Sequence, residues 1–245
     1  VAELAVGGCL SALSSIRCGF RHVWTTETDT HKQELAESLT RAPCLGDTFS
    51  HNYRQVRAKY GHVSYLKSGQ PCTDFSSPGP HTGRGAACTT GWMYTAQGDC
   101  ILDLEPDAVC IEQVAHIMNV DKSAVTDLIT QLESKYYVHS AVVNCWVYGD
   151  VSNRERLIIV ALHKQFGVMA EDYGIPHGDF HAGHAPQAWM VACPDEQVPP
   201  YLWRTDTIYN TTYREPVLGR LHLVGTTGKP GMGYSDYPNA VYSWE

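Results

Sequence analysis

One cysteine of this chain stands where a nucleophile could be presented to a substrate. Cys72 directly follows Pro71 within a run of small and turn-forming residues from 68 to 79, and the run 62–66 before it is apolar enough for a strand. A cysteine fixed on a loop at a strand end, and free of a disulfide, can attack as a thiolate. A packed loop cysteine that acts as a small hydrophobic residue has the same local pattern. The loop alone therefore leaves both interpretations open.

A carboxylate and two guanidinium groups are the next candidates. Glu112 follows the buried-strand pattern of residues 107–111, and the carboxyl ends of parallel strands form the edge where α/β sheets bind ligands. Arg154 and Arg156 stand two residues apart at the start of another predicted strand, 157–162. Side chains at that spacing project to one side, where they could grip an oxygen-rich ligand. A solvent-facing acid and a solvated charge cluster are the competing interpretations.

The N-terminal part of the chain predicts a βαβ unit that would position these groups. A strand over 1–6 ends in a Gly-Gly turn, a helix over 9–17 places Leu10, Leu13 and Ile16 on one face, and a second strand covers 22–26. A further helix is predicted over 30–39. Strand, glycine turn, helix and strand in this order are typical of nucleotide-binding units, although an ordinary βαβ crossover gives a similar pattern.

Two carboxylates in and after this unit are candidates for binding a cofactor. Glu27 ends the second strand, where an acidic residue of a nucleotide-binding unit accepts hydrogen bonds from ribose hydroxyl groups. Asp47 lies near the expected start of the third strand. Gly7 and Gly8 form the turn itself. These four residues are the candidates for a cofactor site.

The sequence after the βαβ unit predicts further helices and strands of the same layered architecture, and its amino-acid composition then changes. Helices are expected over 89–104 and after an Asp121 cap, and a strand over 137–147. The second helix carries an apolar stripe assigned to the core, formed by Val125, Leu128, Ile129 and Leu132. From about residue 164 onward proline, glycine, histidine and aromatic residues become dense. We therefore expect one domain over 1–165 and a second region over 166–245.

Composition narrows the class of protein. The chain has 245 residues, 43% of them hydrophobic, and its apolar runs are all shorter than the roughly 18 residues of a membrane span. Nine cysteines without a C-x-x-C pair predict reduced thiols, an intracellular location and no zinc site. The histidine cluster 177–184 fits no common zinc spacing. A formal net charge of −8 counts against a nucleic-acid partner, although a cleft can still be basic.

Four stretches, in this order, resemble the C5-cytosine DNA methyltransferase family. The sequence Gly-Gln-Pro-Cys-Thr-Asp-Phe-Ser at 69–76 is similar to the catalytic Pro-Cys loop, and Ile-Glu-Gln-Val at 111–114 to the Glu-Asn-Val motif. Asn-Arg-Glu-Arg at 153–156 resembles the Gln-x-Arg-x-Arg motif. Glu27 with Asp47 resembles the two acidic cofactor contacts. The resemblance covers about residues 1–165.

The resemblance implies a Rossmann-like α/β sheet with helices on both faces and S-adenosylmethionine as the methyl donor. Cys72 would add to C6 of a cytosine that has left the duplex, and Glu112 would hydrogen-bond N3 and the exocyclic amine. Arg156 would contact the base O2, and Arg154 would help to hold the loop and the base. The residues implied for the cofactor site are Gly7, Gly8, Glu27, Asp47 and Pro71. Residues 166–245 would begin a smaller target-recognition region.

The chain also departs from the family pattern. The first motif, Phe-x-Gly-x-Gly-Gly, is replaced by Glu-Leu-Ala-Val-Gly-Gly at 3–8, through substitution or through loss of two residues. Gln113 stands in place of asparagine and Ser152 in place of glutamine. The last two motifs are not found. These departures, and Val1 in place of methionine, suggest a piece of a longer polypeptide.

Three functions therefore compete. The first is DNA cytosine-5 methylation through a covalent Cys72 adduct, which implies DNA as partner and the nucleus or, in a prokaryote, the cytoplasm as location. The second is the same chemistry on RNA, since one branch of the family modifies tRNA. The third is an inactive relative that acts as a binding or structural module, favoured by the altered glycine turn and the acidic composition.

Overall fold

The computed structural model describes residues 1–76, 79–148, 150, 154–167 and 174–176, together with the backbone of 221–225 and 241–244. The chain divides into two compact units. The first consists of Val1–Val143 and Arg156–Pro176, and the second of Asn144–Glu155 and His177–Glu245.

The elements alternate between strand and helix through most of the first unit. The strands are β1 (Ala2–Leu4), β2 (Trp24–Thr25), β3 (Tyr65–Ser68), β4 (Ala108–Val114), β5 (Tyr136–Asn144), β6 (Glu155–His163), β7 (Leu221–Gly225) and β8 (Val241–Trp244). The helices are α1 (Leu10–Arg17), α2 (Thr30–Thr40), α3 (Tyr53–Tyr60), α4 (Gly91–Leu104), α5 (Ile117–Val120) and α6 (Lys122–Leu132). In the second unit, β7 and β8 form an antiparallel pair.

Six strands form one mixed sheet in the order β2-β1-β3-β4-β6-β5. Neighbouring strands from β2 to β4 are parallel, and β6 is antiparallel to β4. The chain leaves β1 toward β2 on one side and returns to β3 on the other. The order therefore reverses between β1 and β3, which confirms the predicted α/β Rossmann-like fold and fixes its topological switch point.

Helices cover both faces of this sheet, as two adjacent residues of β3 illustrate. Leu66 is fully buried in the main core, together with Val56 of α3 and Leu104 of α4. Lys67 projects to the other face, where its amine donates to the main-chain oxygen of Ser11 in α1 at 2.6 Å. The two faces thus have different chemistry, one apolar and one partly polar.

That polar face explains which side of α1 is buried. The helix forms where it was predicted, but its apolar stripe is exposed, with Leu10 at 80% and Leu13 and Ile16 at 37% each. Ala12 and Ser15 are buried instead. The Lys67 ammonium beneath the helix requires oxygen acceptors, so the serine-rich side of α1 faces the sheet.

The other predicted helices are confirmed, with bounds close to the predicted ones. The helix predicted over 30–39 extends over Thr30–Thr40, and the one predicted over 89–104 over Gly91–Leu104. Asp121 accepts a hydrogen bond from the Ala124 amide at 3.0 Å and so caps α6, whose Val125, Leu128 and Leu132 are buried. Helix α3 was not predicted, because only Tyr53 and Val56 of its eight residues are buried.

Candidate active site

The candidate residues of the first unit converge on one edge of the sheet. Parallel strands present their carboxyl ends on the same side, and α/β sheets bind ligands at this side where the strand order reverses, here between β1 and β3. The segments at this edge are the Gly7-Gly8 turn after β1, Glu27 after β2, the cysteine loop after β3, and Glu112 near the end of β4. Arg156 lies at the start of the antiparallel strand β6, opposite Val114, and therefore at the same edge.

The loop after β3 holds Cys72 in a turn. The main-chain oxygen of Cys72 accepts hydrogen bonds from the amides of Phe75 at 2.9 Å and Ser76 at 2.8 Å. Its thiol is free of a disulfide, and the residue is partly exposed. Pro71, which is exposed, fixes the backbone angle φ immediately before the cysteine. The thiol is thus carried by a short, hydrogen-bonded segment.

Strand β4 contacts this loop at two points. The Gln113 side-chain amide donates to the main-chain oxygen of Gln70 at 3.4 Å, and both side chains are buried. A Cβ placed on Gly69 would lie 4.0 Å from the Glu112 Oε2 atom. The Glu112 carboxylate thus adjoins the start of the cysteine loop, three residues before Cys72.

Glu112 and Arg156 form an ion pair, with 2.6 Å between Glu112 Oε1 and Arg156 Nε. The pair follows from the register of β4 and β6, because Glu112 lies on the same strand face as Val114, the partner of Arg156. The arginine side chain is 17% exposed and the carboxylate 45%. A carboxylate and a guanidinium group therefore lie together at the sheet edge. A planar heterocycle with both donors and acceptors could donate hydrogen bonds to the carboxylate and accept them from the guanidinium group.

Three residues of the turn after β1 adopt the left-handed conformation. The angle φ is +53° at Ala5, +55° at Gly7 and +63° at Cys9. Only glycine adopts it without cost, so Ala5 and Cys9 are strained. Helix α1 begins directly after Cys9. The chain thus makes a tight strand-to-helix turn at residues 5–9, where its sequence departs from the family's first motif.

Glu27 is held rigidly beside this turn. Its Oε2 atom accepts from the Gly7 amide at 2.9 Å, and Oε1 accepts from the amides of Thr28 at 2.8 Å and Asp29 at 3.1 Å. A carboxylate oxygen can accept two hydrogen bonds, so Oε2 retains capacity for a hydroxyl donor. A Cβ on Gly8 would meet nothing within 4 Å. These features fit a ribose-bearing cofactor.

Asp47 lies next to Glu27 along the same edge. The Glu27 amide donates to the main-chain oxygen of Gly46 at 2.9 Å. The exposed Asp47 side chain caps the short 3-10 helix Thr48–Ser50 by accepting from the Phe49 amide at 3.1 Å. Both acidic residues of the predicted cofactor site are thus present at neighbouring positions.

Arg154 belongs to the second unit and precedes β6 instead of lying within it. Its main-chain oxygen accepts a hydrogen bond at 2.9 Å from the amide of Cys145, the first residue of the 3-10 helix Cys145–Tyr148. Ser152 and Asn153 of the same motif lie outside the described residues, as does the histidine cluster 177–184. Among the residues that the structure describes, no three metal-ligating side chains come together.

Sequence reasoning missed one functional candidate, Asp74. This carboxylate is fully buried and accepts hydrogen bonds from the amides of Thr90 at 2.6 Å and Gly91 at 2.8 Å, at the start of α4. Its position two residues after Cys72 was the signal available, but a cap that spans 16 residues has no recognisable local spacing.

Membrane insertion has no support in the helices. Within the described part of the chain, none combines the length and the apolarity that a membrane crossing requires.

Comparison with curated proteins gives relatives that are named Type II methyltransferases or methylases. The Type II methyltransferase M.HpaII of Haemophilus parainfluenzae is 28% identical over 176 residues, which are 70% of this chain and 47% of the relative. M.Sau96I of Staphylococcus aureus is 27% identical over 42% of this chain and 24% of its own length. M.HgiDII of Herpetosiphon aurantiacus is 31% identical over 44% of this chain and 31% of its own length.

Solved structures share the fold at low sequence identity. A protein described as a DNA modification methyltransferase encoded within an E. coli prophage matches with a TM-score of 0.56 and 20% identity, covering 70% of this chain and 48% of its own. A DNMT2 variant of Spodoptera frugiperda matches with a TM-score of 0.54 and 15% identity, covering 73% and 56%. The chain thus spans about half the length of M.HpaII and of these two structures.

A family model decides the classification. The model for the C-5 cytosine-specific DNA methylase matches residues 4–217, which is most of the chain and includes the glycine turn, the cysteine loop, Glu112 and both arginines. The chain therefore belongs to the C-5 cytosine-specific DNA methylase family.

Proposed function

We propose that this chain is the catalytic part of a DNA (cytosine-5-)-methyltransferase that acts through a covalent Cys72 adduct. The observation that carries the proposal is the Glu112–Arg156 pair at the sheet edge, beside the loop that bears Cys72. The C-5 cytosine-specific DNA methylase family, to which the chain belongs, supports DNA as the substrate. We infer that the protein acts inside the cell, where this substrate lies.

The chemistry follows from the reactivity of cytosine. C5 is a weak nucleophile until a thiolate adds to C6 and converts the ring to an enamine. Cys72 supplies this thiolate after losing its proton. The target base must leave the duplex to reach a side chain at the sheet edge. The covalent adduct persists until a base accepts the C5 proton; the electron pair left at C5 then expels the Cys72 thiolate as the C6–sulfur bond breaks.

Glu112 and Arg156 bind the extruded base. The Glu112 carboxyl group hydrogen-bonds N3 and the exocyclic amine, and a proton delivered to N3 neutralises the charge that develops as Cys72 adds. Arg156 donates to the base O2, and Arg154 helps to hold the base and the loop. The existing ion pair keeps Glu112 and Arg156 at the edge before the base arrives.

S-adenosylmethionine supplies an electrophilic methyl group when it is bound. Glu27 would accept hydrogen bonds from its ribose hydroxyl groups and Asp47 from its adenine amine. Gly7, Gly8 and Pro71 would line the site with little side-chain bulk. Residues 1–165 would carry these functions, and 166–245 would begin the target-recognition region.

Replacement of the nucleophile tests this proposal. We expect Cys72→Ser to abolish transfer of radiolabelled methyl groups from S-adenosylmethionine to duplex DNA. The change is nearly isosteric on a partly exposed loop, so the thermal unfolding temperature should stay within about 2 °C of the wild type. Undiminished activity of the variant would contradict the assignment.

The same assay separates the alternatives. Transfer to unmodified tRNA, but not to DNA, would identify the RNA-directed chemistry. A wild-type chain that binds neither cofactor nor DNA and transfers nothing would support an inactive binding or structural module.

A further inference from the structure

Asp74 joins the cysteine loop to the start of helix α4. Its Oδ2 atom accepts from the amides of Thr89 at 3.0 Å, Thr90 at 2.6 Å and Gly91 at 2.8 Å, and also from the Thr90 hydroxyl at 2.9 Å. The Thr82 hydroxyl donates to Oδ1. One buried carboxylate thus accepts hydrogen bonds from two parts of the segment that follows Cys72, Thr82 and the run 89–91.

Asp74 replaces the usual cap of this helix. Thr90 stands at the N-cap position of α4 but makes no side-chain capping bond there. The orphan amides of a first helical turn need acceptors, and a negative charge at this end is favourable. Because Asp74 provides both, α4 and the cysteine loop are fixed to each other.

Close packing strengthens the same junction. The main-chain oxygen of Asp74 accepts from the Gly83 amide at 3.2 Å. A Cβ on Gly91 would lie only 1.8 Å from the Gly83 oxygen, so the two backbones touch. Phe75 is fully buried against Tyr94 of α4, with 5.9 Å between the ring centroids.

Cys72 consequently lies between two fixed points. On one side, Gln113 of β4 holds the Gln70 main-chain oxygen. On the other, Asp74 is bound to α4, and the turn at 72–76 connects it to the cysteine. We propose that Asp74 is a positioning residue for Cys72, which fixes the nucleophile relative to the sheet edge through the N-terminus of α4. This inference rests on the proposed function for its effect on catalysis.

The charge of Asp74 suits this role. Burial alone would favour the neutral acid, but the hydrogen bonds from Thr82, Thr90 and Gly91 outweigh it and hold the pKa of the carboxyl well below its usual range. The group therefore remains an ionised acceptor at neutral pH.

The test uses Asp74→Asn in the full chain. An amide is uncharged and has one acceptor oxygen, so its NH₂ group takes the place of Oδ1 or of Oδ2, and the donors at that position, Thr82 or Thr90 with Gly91, lose their carboxylate acceptor. We expect kcat for methyl transfer to fall about tenfold or more with KM for S-adenosylmethionine little changed, because a misplaced reacting group costs rate. The iodoacetamide alkylation rate of Cys72, followed by peptide mass spectrometry, should rise about threefold or more as the loop opens.

Asn52→Ala is the matched control. Asn52 caps α3 through the amides of Arg54 and Gln55, so the variant loses a helix cap whose hydrogen bonds lie outside the cysteine loop. It should lower the unfolding temperature while kcat and the Cys72 alkylation rate stay at wild-type values. An equal effect of Asn52→Ala on Cys72 would mean that general destabilisation, and not Asp74, is responsible.

A second pair keeps the test decisive if Asp74→Asn does not fold. Thr82→Val removes the hydroxyl donor to Oδ1, so it should lower kcat and raise the Cys72 alkylation rate, as Asp74→Asn does. Thr82→Ser keeps the donor, and its kcat and alkylation rate should stay at wild-type values. A folded Asp74→Asn or Thr82→Val protein with wild-type kcat and alkylation would overturn the proposal. Should the wild type transfer no methyl group, the proposed function fails, while the alkylation rates still decide the role of Asp74.

Discussion

At the scale of single residues, the proposed chemistry depends on which side chains lie next to one another at the sheet edge. Cys72 lies in a hydrogen-bonded turn, and Glu112 is 2.6 Å from Arg156. The sequence predicts that Cys72, Glu112 and Arg156 each lie at a strand end, but it does not predict that Glu112 and Arg156 form an ion pair. The Glu112–Arg156 contact arises from the antiparallel register of β4 and β6, which no local pattern encodes.

Glu112→Gln tests the role of the carboxyl group. The amide keeps the size of the side chain and one acceptor but cannot deliver a proton to N3 of the base. We therefore expect kcat to fall by about a hundredfold or more, the usual contribution of a positioned acid. Steady-state transfer to duplex DNA measures the change. Wild-type rates in the variant would leave Glu112 without a chemical role.

At the scale of elements, α1 separates what periodicity predicts from what it does not. The spacing of leucine and isoleucine correctly predicted a helix but did not predict which side of it is buried. The buried side depends on the oxygen acceptors that Lys67 requires, and Lys67 lies in a strand 56 residues after Ser11. Helix α3 was missed for a related reason. Its short burial pattern, Tyr53 and Val56, becomes recognisable only when the core it packs on is known.

Paired substitutions check the orientation of α1. Leu10→Gln should change the free energy of unfolding by less than about 0.5 kcal/mol, since the side chain is already exposed. Leu128→Ala in α6 should lower it by about 2–5 kcal/mol, because it leaves a cavity in the main core. Urea unfolding of the two variants supplies both numbers. A comparable loss in Leu10→Gln would mean that α1 buries its apolar side.

Glu105, at the end of α4, makes stability depend on pH. The Lys135 ammonium and the Arg57 guanidinium, the latter at 2.5 Å, lower the pKa of this carboxyl from its ordinary value to about 2. A lowered pKa stabilises the folded protein while the group is ionised in both states. That contribution is lost as pH falls from the ordinary value, 4.5, toward 2.

The expected result is a stability difference between wild type and Glu105→Gln that is present at pH 7 and shrinks by pH 3. Urea unfolding midpoints at the two pH values measure it. Arg54→Gln, which removes the exposed pair with Asp103, serves as the control and should change stability little at either pH. A difference for Glu105→Gln that grows on acidification would contradict the cited direction of the pKa shift.

At the scale of the whole molecule, the alternation of strands and helices predicted the fold class, and the order β2-β1-β3-β4-β6-β5 confirms it. The family also followed from motifs that stand in sequence order, and the match over residues 4–217 confirms it. The link from Asp74 to α4 did not follow, because it joins residues far apart in sequence through a loop whose path is set by packing. The domain boundary near 165 and the roles of the site residues stay predictions.

Trapping the covalent intermediate is the sharpest test of Cys72 as the nucleophile. Duplex DNA in which 5-fluorocytosine replaces the target base cannot lose a C5 proton, so a thiol adduct should persist after methyl transfer. Incubation with the chain and S-adenosylmethionine should give a stable complex whose only modified peptide contains Cys72, and Cys72→Ser should give none. An adduct on another cysteine, or methylation of ordinary cytosine without any adduct, would contradict the account.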